Sequence, residues 1–410
     1  MSKTNGKHIW FHKLTSDIPS ILIIGLILRL IIAPFTLNWD LRANTKVAMK
    51  FGTIPLSEFY QEPLAAYPPL MYGILKSALI VSGPFLPSNF NQWLTTPDLD
   101  AVSDSRIFQT LFVLKFPAIL TDLLTGYLFS QMVKGKYRLG LLIYWMIHPL
   151  ALFLIPGWTN IDMFPLLFIV GSLLAFKKNR NILSAFLLGI AFSLKVFSIF
   201  LIPFLILTQP TIRKKISVFF ASLIPIIVVH LPVLSVPSYW SHVFTGGYSK
   251  QILFSTIPIG SDRVILYVVF LYLLLLFRFW FCKEKREQYI SYQFLALVPV
   301  FIFTAFSYQW ILWLFPFFAY SWITVPTLRL TQLILVGCYF GMILLAQPVI
   351  NIGLLVPIDP TFWRTGWFIK TRFGVEQLSG IVNLLNTTFV ACLAWISLQT
   401  INPKNRGSKN

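Results

Sequence analysis

Asp40, Asp162 and Lys195 are the residues whose types and positions can do chemistry together. Asp40 lies in "APFTLNWDLRANTKVAMKFG" (Ala33 to Gly52), just after the first long apolar run, with Arg42, Lys46 and Lys50 behind it at four-residue intervals. Asp162 follows "PGWTN", and Lys195 ends "LLGIAFSLK". Taken singly, each acid reads as a helix cap. Asp40 would start a short surface helix whose cations form a solvated stripe at the lipid head groups, and Asp162, Thr159 or Asn160 would cap the helix that follows them. Taken together, two carboxylates and a cation at one membrane interface suit a lipid-borne phosphate and a hydroxyl acceptor.

Other ionisable residues have structural readings. Arg29 is midway along the first apolar run, and Lys115 and Asp122 are seven residues apart in the second, on one helical face. Lys115 and Asp122 are expected to pair, directly or through a neighbour, and lock helices together, whereas Arg29 needs a partner that the sequence does not name. "TPDLDAVSD" carries Asp98 and Asp100 at the D-x-D spacing of a hard divalent cation, although a solvated acidic loop has the same composition. A divalent cation is the one cofactor for which ligands can be named. His148 reads as a satisfied core histidine. Cys282, Cys338 and Cys392 lack ligand spacing and read as packing residues. No P-loop, G-x-S-x-G, H-E-x-x-H or G-x-G-x-x-G motif occurs, which disfavours ATP-driven transport and common hydrolase chemistry.

These residues must be positioned by helices in a bilayer. Of 410 residues, 56% are hydrophobic and only 11% charged, and mean hydropathy is +0.74. The fold class expected is all-α and polytopic. The net charge of +19 is split among clusters between apolar runs, which argues for topology signals and against nucleic acid. Lys134/Lys136/Arg138, Lys177/Lys178/Arg180, Arg213/Lys214/Lys215 and Lys283/Lys285/Arg286 read as cytoplasmic loops, together with the basic N-terminus (1–17) and tail (399–410). Spans are then expected at 18–37, 106–133, 139–155, 162–176, 182–195, 196–209, 216–235, 263–281, 289–306, 309–324, 330–348 and 378–398, about twelve crossings with both termini inside. The stretch from Tyr67 to Phe85 is expected to lie in the outer interface, within a first outer loop of 38–105. The membrane core is 106–348 and the last outer loop 349–377, in a single integral membrane domain.

The order of features resembles the C-type glycosyltransferase superfamily, integral membrane enzymes that use polyprenyl-phosphate sugars. "LRL" in the first span is followed by the acid of "NWD" and then by "YPPL" (Tyr67 to Leu70). "FPAILTDLLTGYLFSQMV" and "HPLALFLIPGWTNIDMFPLL" resemble the second and third spans of the dolichol- or polyprenyl-phosphate-mannose-dependent mannosyltransferases, the latter with the outer N-x-D element Asn160-Ile161-Asp162. "LLGIAFSLKVFSIFLIPF" resembles their short span pair with a lysine before a proline, here Lys195 and Pro203, and "FSYQWILWLFPFF" their late aromatic element with Tyr308, Gln309, Trp313 and Pro316. The resemblance covers roughly residues 20–320. The chain departs from the pattern where Trp158-Thr159 precedes N-x-D, a place where glycine is common, and in having a single acid after the first span.

The resemblance implies an outer-face active site with Asp40 as catalytic base. It implies transfer of a hexose, mannose by the nearest-looking relatives, from a polyprenyl-phosphate donor to a hydroxyl of a glycolipid, glycan or protein. Lys195 would stabilise the leaving phosphate, with Arg263 and Lys250 as further candidates. Asp162, with Asn160, would hold sugar or acceptor hydroxyls, Tyr67 and Pro68 would wall the groove, and Gln309 belongs to the late element. Attack from the opposite face inverts the anomeric centre. The location implied is a plasma membrane, or the endoplasmic reticulum membrane in a eukaryotic cell. The rival readings are a transporter or flippase of lipid-linked sugars, with Arg29, Lys115, Asp122 and Lys195 along its path, and a non-catalytic envelope-assembly subunit.

Overall fold

The computed structural model describes residues 17–246, 250–252, 255–346, 352–372 and 375–401. The basic N-terminal residues Lys3, Lys7 and Lys13 and the tail lysines lie outside them. The described chain is mostly helical, and its longer helices, numbered in order, are α1 (Ile18–Ile32), α2 (Trp39–Lys50), α3 (Pro69–Ser82), α4 (Ile107–Ser130), α5 (Lys136–Ile147), α6 (Met163–Lys177), α7 (Asn181–Leu194), α8 (Ile212–His230), α9 (Tyr267–Trp280), α10 (Lys285–Phe303), α11 (Phe315–Thr324), α12 (Arg329–Ala346), α13 (Thr361–Arg372) and α14 (Val375–Ile401). A single hairpin, β1 (Thr256–Ile259) with β2 (Arg263–Leu266), is the β-structure among the described residues.

Polar caps and proline start several helices. Asp17 accepts the backbone N–H of Ser20 at 3.2 Å ahead of α1, and Thr211 accepts that of Lys214 at 3.3 Å ahead of α8. Packing then proceeds through small residues. A Cβ at Gly126 would fall 2.5 Å from the Trp145 ring, so α4 and α5 approach there only because that side chain is absent. The same holds at Gly189, where a Cβ would lie 2.1 Å from the Ser222 carbonyl of α8. Ser172 and Ser184 share a 2.8 Å hydrogen bond between α6 and α7.

The outer surface inverts the pattern of a water-soluble protein. Ile23, Ile27 and Ile31 of α1, Leu120 and Leu124 of α4, and Phe219, Phe220 and Ile224 of α8 are exposed, while Arg29, Lys115 and Asp122 are fully buried. Among the described residues, five helical stretches are long and apolar enough to cross a membrane: Ile18–Phe35, Ile107–Ser130, Ile212–Val233, Pro326–Ala346 and Leu378–Thr400. A sixth forms if Tyr137–Ile147 and Pro149–Gly157, bent by 42°, count as one. The pattern is that of a membrane protein.

Several expected spans are altered. The one placed at 196–209 is a tight turn, Val196–Leu201, followed by the short helix Ile202–Leu207. The one placed at 263–281 starts as the exposed strand β2 and becomes helical only at Tyr267. The one at 309–324 opens with a tight turn and is α-helical over α11 alone. In each case a proline or a β-branched run interrupts a stretch whose hydropathy is continuous. The Tyr67 to Phe85 stretch forms α3, 14 residues long, packed against α2, α7 and α4.

The buried charges pair differently from the expectation. Arg29 donates to the Asp122 carboxylate, and the Trp145 indole donates to the other oxygen at 2.7 Å, which ties α1, α4 and α5. Arg29 also donates to the Gly25 and Met146 carbonyls at 2.9 and 2.8 Å. Lys115 does not meet Asp122. Its ammonium donates to the Thr36 carbonyl, the Thr36 hydroxyl (2.8 Å) and the Pro156 carbonyl (2.8 Å). Seven residues place two side chains on one face but two turns apart, and a nearer acceptor wins.

Candidate active site

Helix α2 starts directly after the first apolar stretch. Its cap is Asn38 and not Asp40: the Asn38 side-chain oxygen accepts the Asp40 N–H at 2.7 Å. The second acid repeats the arrangement, with Asn160 Oδ1 accepting the Asp162 N–H at 2.9 Å. Both "NWD" and "NID" are therefore N-x-D turns in which the asparagine satisfies the backbone and leaves the carboxylate to other tasks. Asn38 is a capping position that the sequence reading missed, although the shared spacing was visible.

The two carboxylates have different tasks. Asp162 is fully buried; one oxygen binds the Lys195 ammonium and the other accepts the Trp313 indole N–H at 2.8 Å. Asp40 keeps solvent-accessible surface, so a substrate can reach it, yet protein surrounds it on most sides. The lost hydration raises its pKa above the ordinary carboxylate value. The Trp158 indole and Lys195 pull it down, and Asp162 pushes it up. Trp158 reaches Asp40 without closing a hydrogen bond of standard geometry, and its buried N–H has no other partner among the described residues.

Lys195 stands where α7 ends, its backbone extended, with its side chain 12% exposed. Its ammonium lies 5.6 Å from the Tyr67 ring, 5.8 Å from Trp310 and 5.3 Å from Trp313. Trp313 is itself fixed between Phe197, stacked at 3.8 Å, and Trp310, stacked at 4.7 Å. Burial, with Asp162, Tyr72 and Asp40 adding to it, holds the Tyr67 phenol well above its ordinary pKa, so it stays neutral. A cleft of about 270 Å3 opens beside this group, lined by Tyr67, Pro68, Lys195, His242, Gln309 and Trp310 among others. His242, on the short helix Pro237–Val243 that follows α8, is a second residue the sequence reading missed. Gln309 contributes through its backbone, whose carbonyl accepts the Asn160 amide at 2.8 Å.

The backbone before Asp162 is strained. Thr159 has φ +65, a left-handed conformation unfavourable to a β-branched residue, and its buried hydroxyl lacks a partner among the described residues. Preceding it, Phe153–Gly157 is a widened helical turn, whose Pro156 carbonyl also accepts from Lys115. Because Lys115 binds Thr36 as well, one buried cation joins the chain entering Asp40 to the chain entering Asp162.

Arg42 is not part of a solvated stripe; it is buried against Trp93, donates to the carbonyls of Trp93, Leu94 and Thr96, and pairs with Asp98. Asp98 is thus an ion-pair partner of Arg42, and Asp100 is exposed one helical step away. Among the described residues no group of three or more His, Cys, Asp or Glu is arranged to hold a metal. Lys50 pairs with Glu62. Arg263 sits on the exposed hairpin, opposite Ile259, and makes no contact with Asp40, Asp162 or Lys195 among the described residues. The segment after α12 does reach the site region: Trp363 meets Trp39 edge-to-face at 5.9 Å, and the Leu354 carbonyl accepts the Leu37 N–H at 2.8 Å. No protein-family model matches the chain, and no curated protein matches it in sequence.

Proposed function

We propose that the protein is a membrane glycosyltransferase of the C-type superfamily that moves a hexose from a polyprenyl phosphate to an acceptor hydroxyl. The observation that carries this reading is the contrast between the two acids. Asp162 is committed to Lys195 and Trp313, while the Asp40 carboxylate beside them is accessible and has no hydrogen bond of standard geometry among the described residues. An uncommitted carboxylate of raised pKa next to a fixed cation suits proton abstraction beside a departing phosphate.

In this mechanism Asp40 takes the proton of the acceptor hydroxyl as that oxygen bonds the anomeric carbon. The bond from the anomeric carbon to the phosphate oxygen breaks, and its electron pair leaves on the phosphate, where Lys195 stabilises the charge. Asp162 and Trp313 hold the ammonium in position throughout. Tyr67 and Trp310 present ring faces to the sugar in the cleft. Attack opposite the leaving group inverts the anomeric carbon. Mannose is the sugar by resemblance, and the acceptor is a glycolipid, glycan or protein.

The broken and shorter helices, α6, α7, Val196–Leu207, α9, α10 and α11, count as crossings in this reading and bring the total to about twelve. The positive-inside rule sets the basic ends of α6 to α10 in the cytoplasm, with Asp40 on the outer face of a plasma membrane. The full burial of Arg29, Asp122 and Lys115 favours an enzyme over a transporter, since Arg29 and Asp122 pair with each other and Lys115 is held by Thr36 and Pro156. Incubating the purified protein with polyprenyl-phosphate sugar and measuring release of polyprenyl phosphate tests the proposal. A protein that moved the lipid unchanged across a bilayer would instead be a flippase.

A further inference from the structure

At the far end of α7 from Lys195 lies a second cavity, about 350 Å3 in volume. The two are joined by named bonds: Asn181, which opens α7, donates to Gln209 at 3.0 Å, and Gln209 lines the cavity. Fourteen helical residues separate them by about 21 Å. The cavity walls carry Lys215 of α8, Lys283 before α10, and Lys285 and Arg286 of its first turn, against one acid, Glu287.

Two of these cations are held by neutral acceptors. Lys285 donates to the Cys282 carbonyl at 2.7 Å. Arg286 donates to the Phe176 carbonyl at 3.0 Å and to the Asn179 side chain, and its guanidinium stacks on the Phe176 ring at 4.7 Å. The Lys215 ammonium stands 5.7 Å from the Trp280 ring. Carbonyls fix the cations without cancelling their charge, so a positive pocket of defined shape remains.

Trp280 of the lining is exposed, as are its chain neighbours Phe277 and Phe281 at the end of α9 and, near Lys215 in the chain, Ile212 and Ile216 at the start of α8, with Phe281 exposed to 80%. Exposed tryptophan and phenylalanine beside lysines at helix ends mark a membrane interface, where an anion comes attached to an acyl chain. We infer that this cavity binds the phosphate of an anionic phospholipid, with Lys215 and Lys283 contacting the phosphate and the α8 and α9 rims taking the acyl chains. The inference does not depend on the transferase reading.

The experiment is native mass spectrometry of the full chain in detergent, titrated with phosphatidylglycerol, phosphatidylcholine or inorganic phosphate. Phosphatidylglycerol is expected to bind more tightly than phosphatidylcholine. The Lys215→Gln/Lys283→Gln variant is expected to lose about thirtyfold in phosphatidylglycerol affinity, with phosphatidylcholine unchanged. Lys215→Arg/Lys283→Arg keeps the charge and is expected to retain binding, which separates loss of charge from loss of fold. Unchanged phosphatidylglycerol binding in the glutamine variant would overturn the site. Displacement of the lipid by millimolar inorganic phosphate would overturn its lipid identity, leaving a soluble phosphate as the ligand.

Discussion

Asn38 accepts the backbone N–H of Asp40 at 2.7 Å, so the helix that begins there is capped without using the acid. At the second acid Asn160 likewise accepts the Asp162 N–H, and Asp162, at the N-cap position of α6, makes no side-chain cap bond. At Asp40 the arrangement removes the competition between capping and chemistry, since the cap is Asn38 and the carboxylate keeps its lone pairs.

Asp40→Asn is therefore expected to insert and fold as wild type while losing sugar transfer by about 10²- to 10⁴-fold, the usual worth of a general base. Polyprenyl phosphate release measures it. Transfer at near-normal rate would falsify the base assignment.

The acid side of the pH–rate profile carries a sign. A base works only when deprotonated, so activity is lost as pH falls through the Asp40 pKa, which burial places above the ordinary carboxylate value. Trp158→Phe removes an N–H that lowers that pKa, so the acid limb moves to higher pH; a limb that stayed in place would detach Trp158 from Asp40.

Lys195→Gln is expected to weaken donor binding by tenfold or more, about the worth of one charge-assisted bond. It also leaves Asp162 buried without its cation, so the comparison should include Lys195→Gln/Asp162→Asn, in which that charge is gone. Donor affinity restored to wild type in the double variant would give Lys195 a structural role alone.

Arg29→Leu should cost about 3–5 kcal/mol of stability, because the Asp122 charge would be left buried and uncompensated. Arg29→Leu/Asp122→Leu should cost much less, and thermal denaturation in detergent measures both. Equal losses would mean that packing, and not the unpaired charge, dominates.

The helical class was legible from hydropathy, and α6, α7 and α12 fall within a residue or two of the expected spans. Where the reading strayed, tertiary partners decided. The spacing of Arg42, Lys46 and Lys50 reads as a wet stripe, but Trp93 and Asp98 lie 51 and 56 residues away and draw Arg42 inward. Lys115 and Asp122 share a face, yet their partners come from other helices. The co-location of Asp40, Asp162 and Lys195 was inferable because each ends or follows an apolar run on the same side. The box of Tyr67, Trp310 and Trp313 around Lys195 was not readable from hydropathy, since Tyr67, the turn that carries both tryptophans, and Lys195 lie far apart in the chain.

The brevity of α6 and α7 has a consequence for how a substrate arrives. Helices of 15 and 14 residues rise about 22 and 21 Å, against a hydrocarbon thickness of about 30 Å. In the proposed topology, with their basic ends at one head-group layer, Asp162 and Lys195 would stop short of the other. The proposed lipid-tethered donor would then reach them by lateral diffusion in the leaflet, a search in two dimensions, whereas a water-borne competitor would have to descend into the recess.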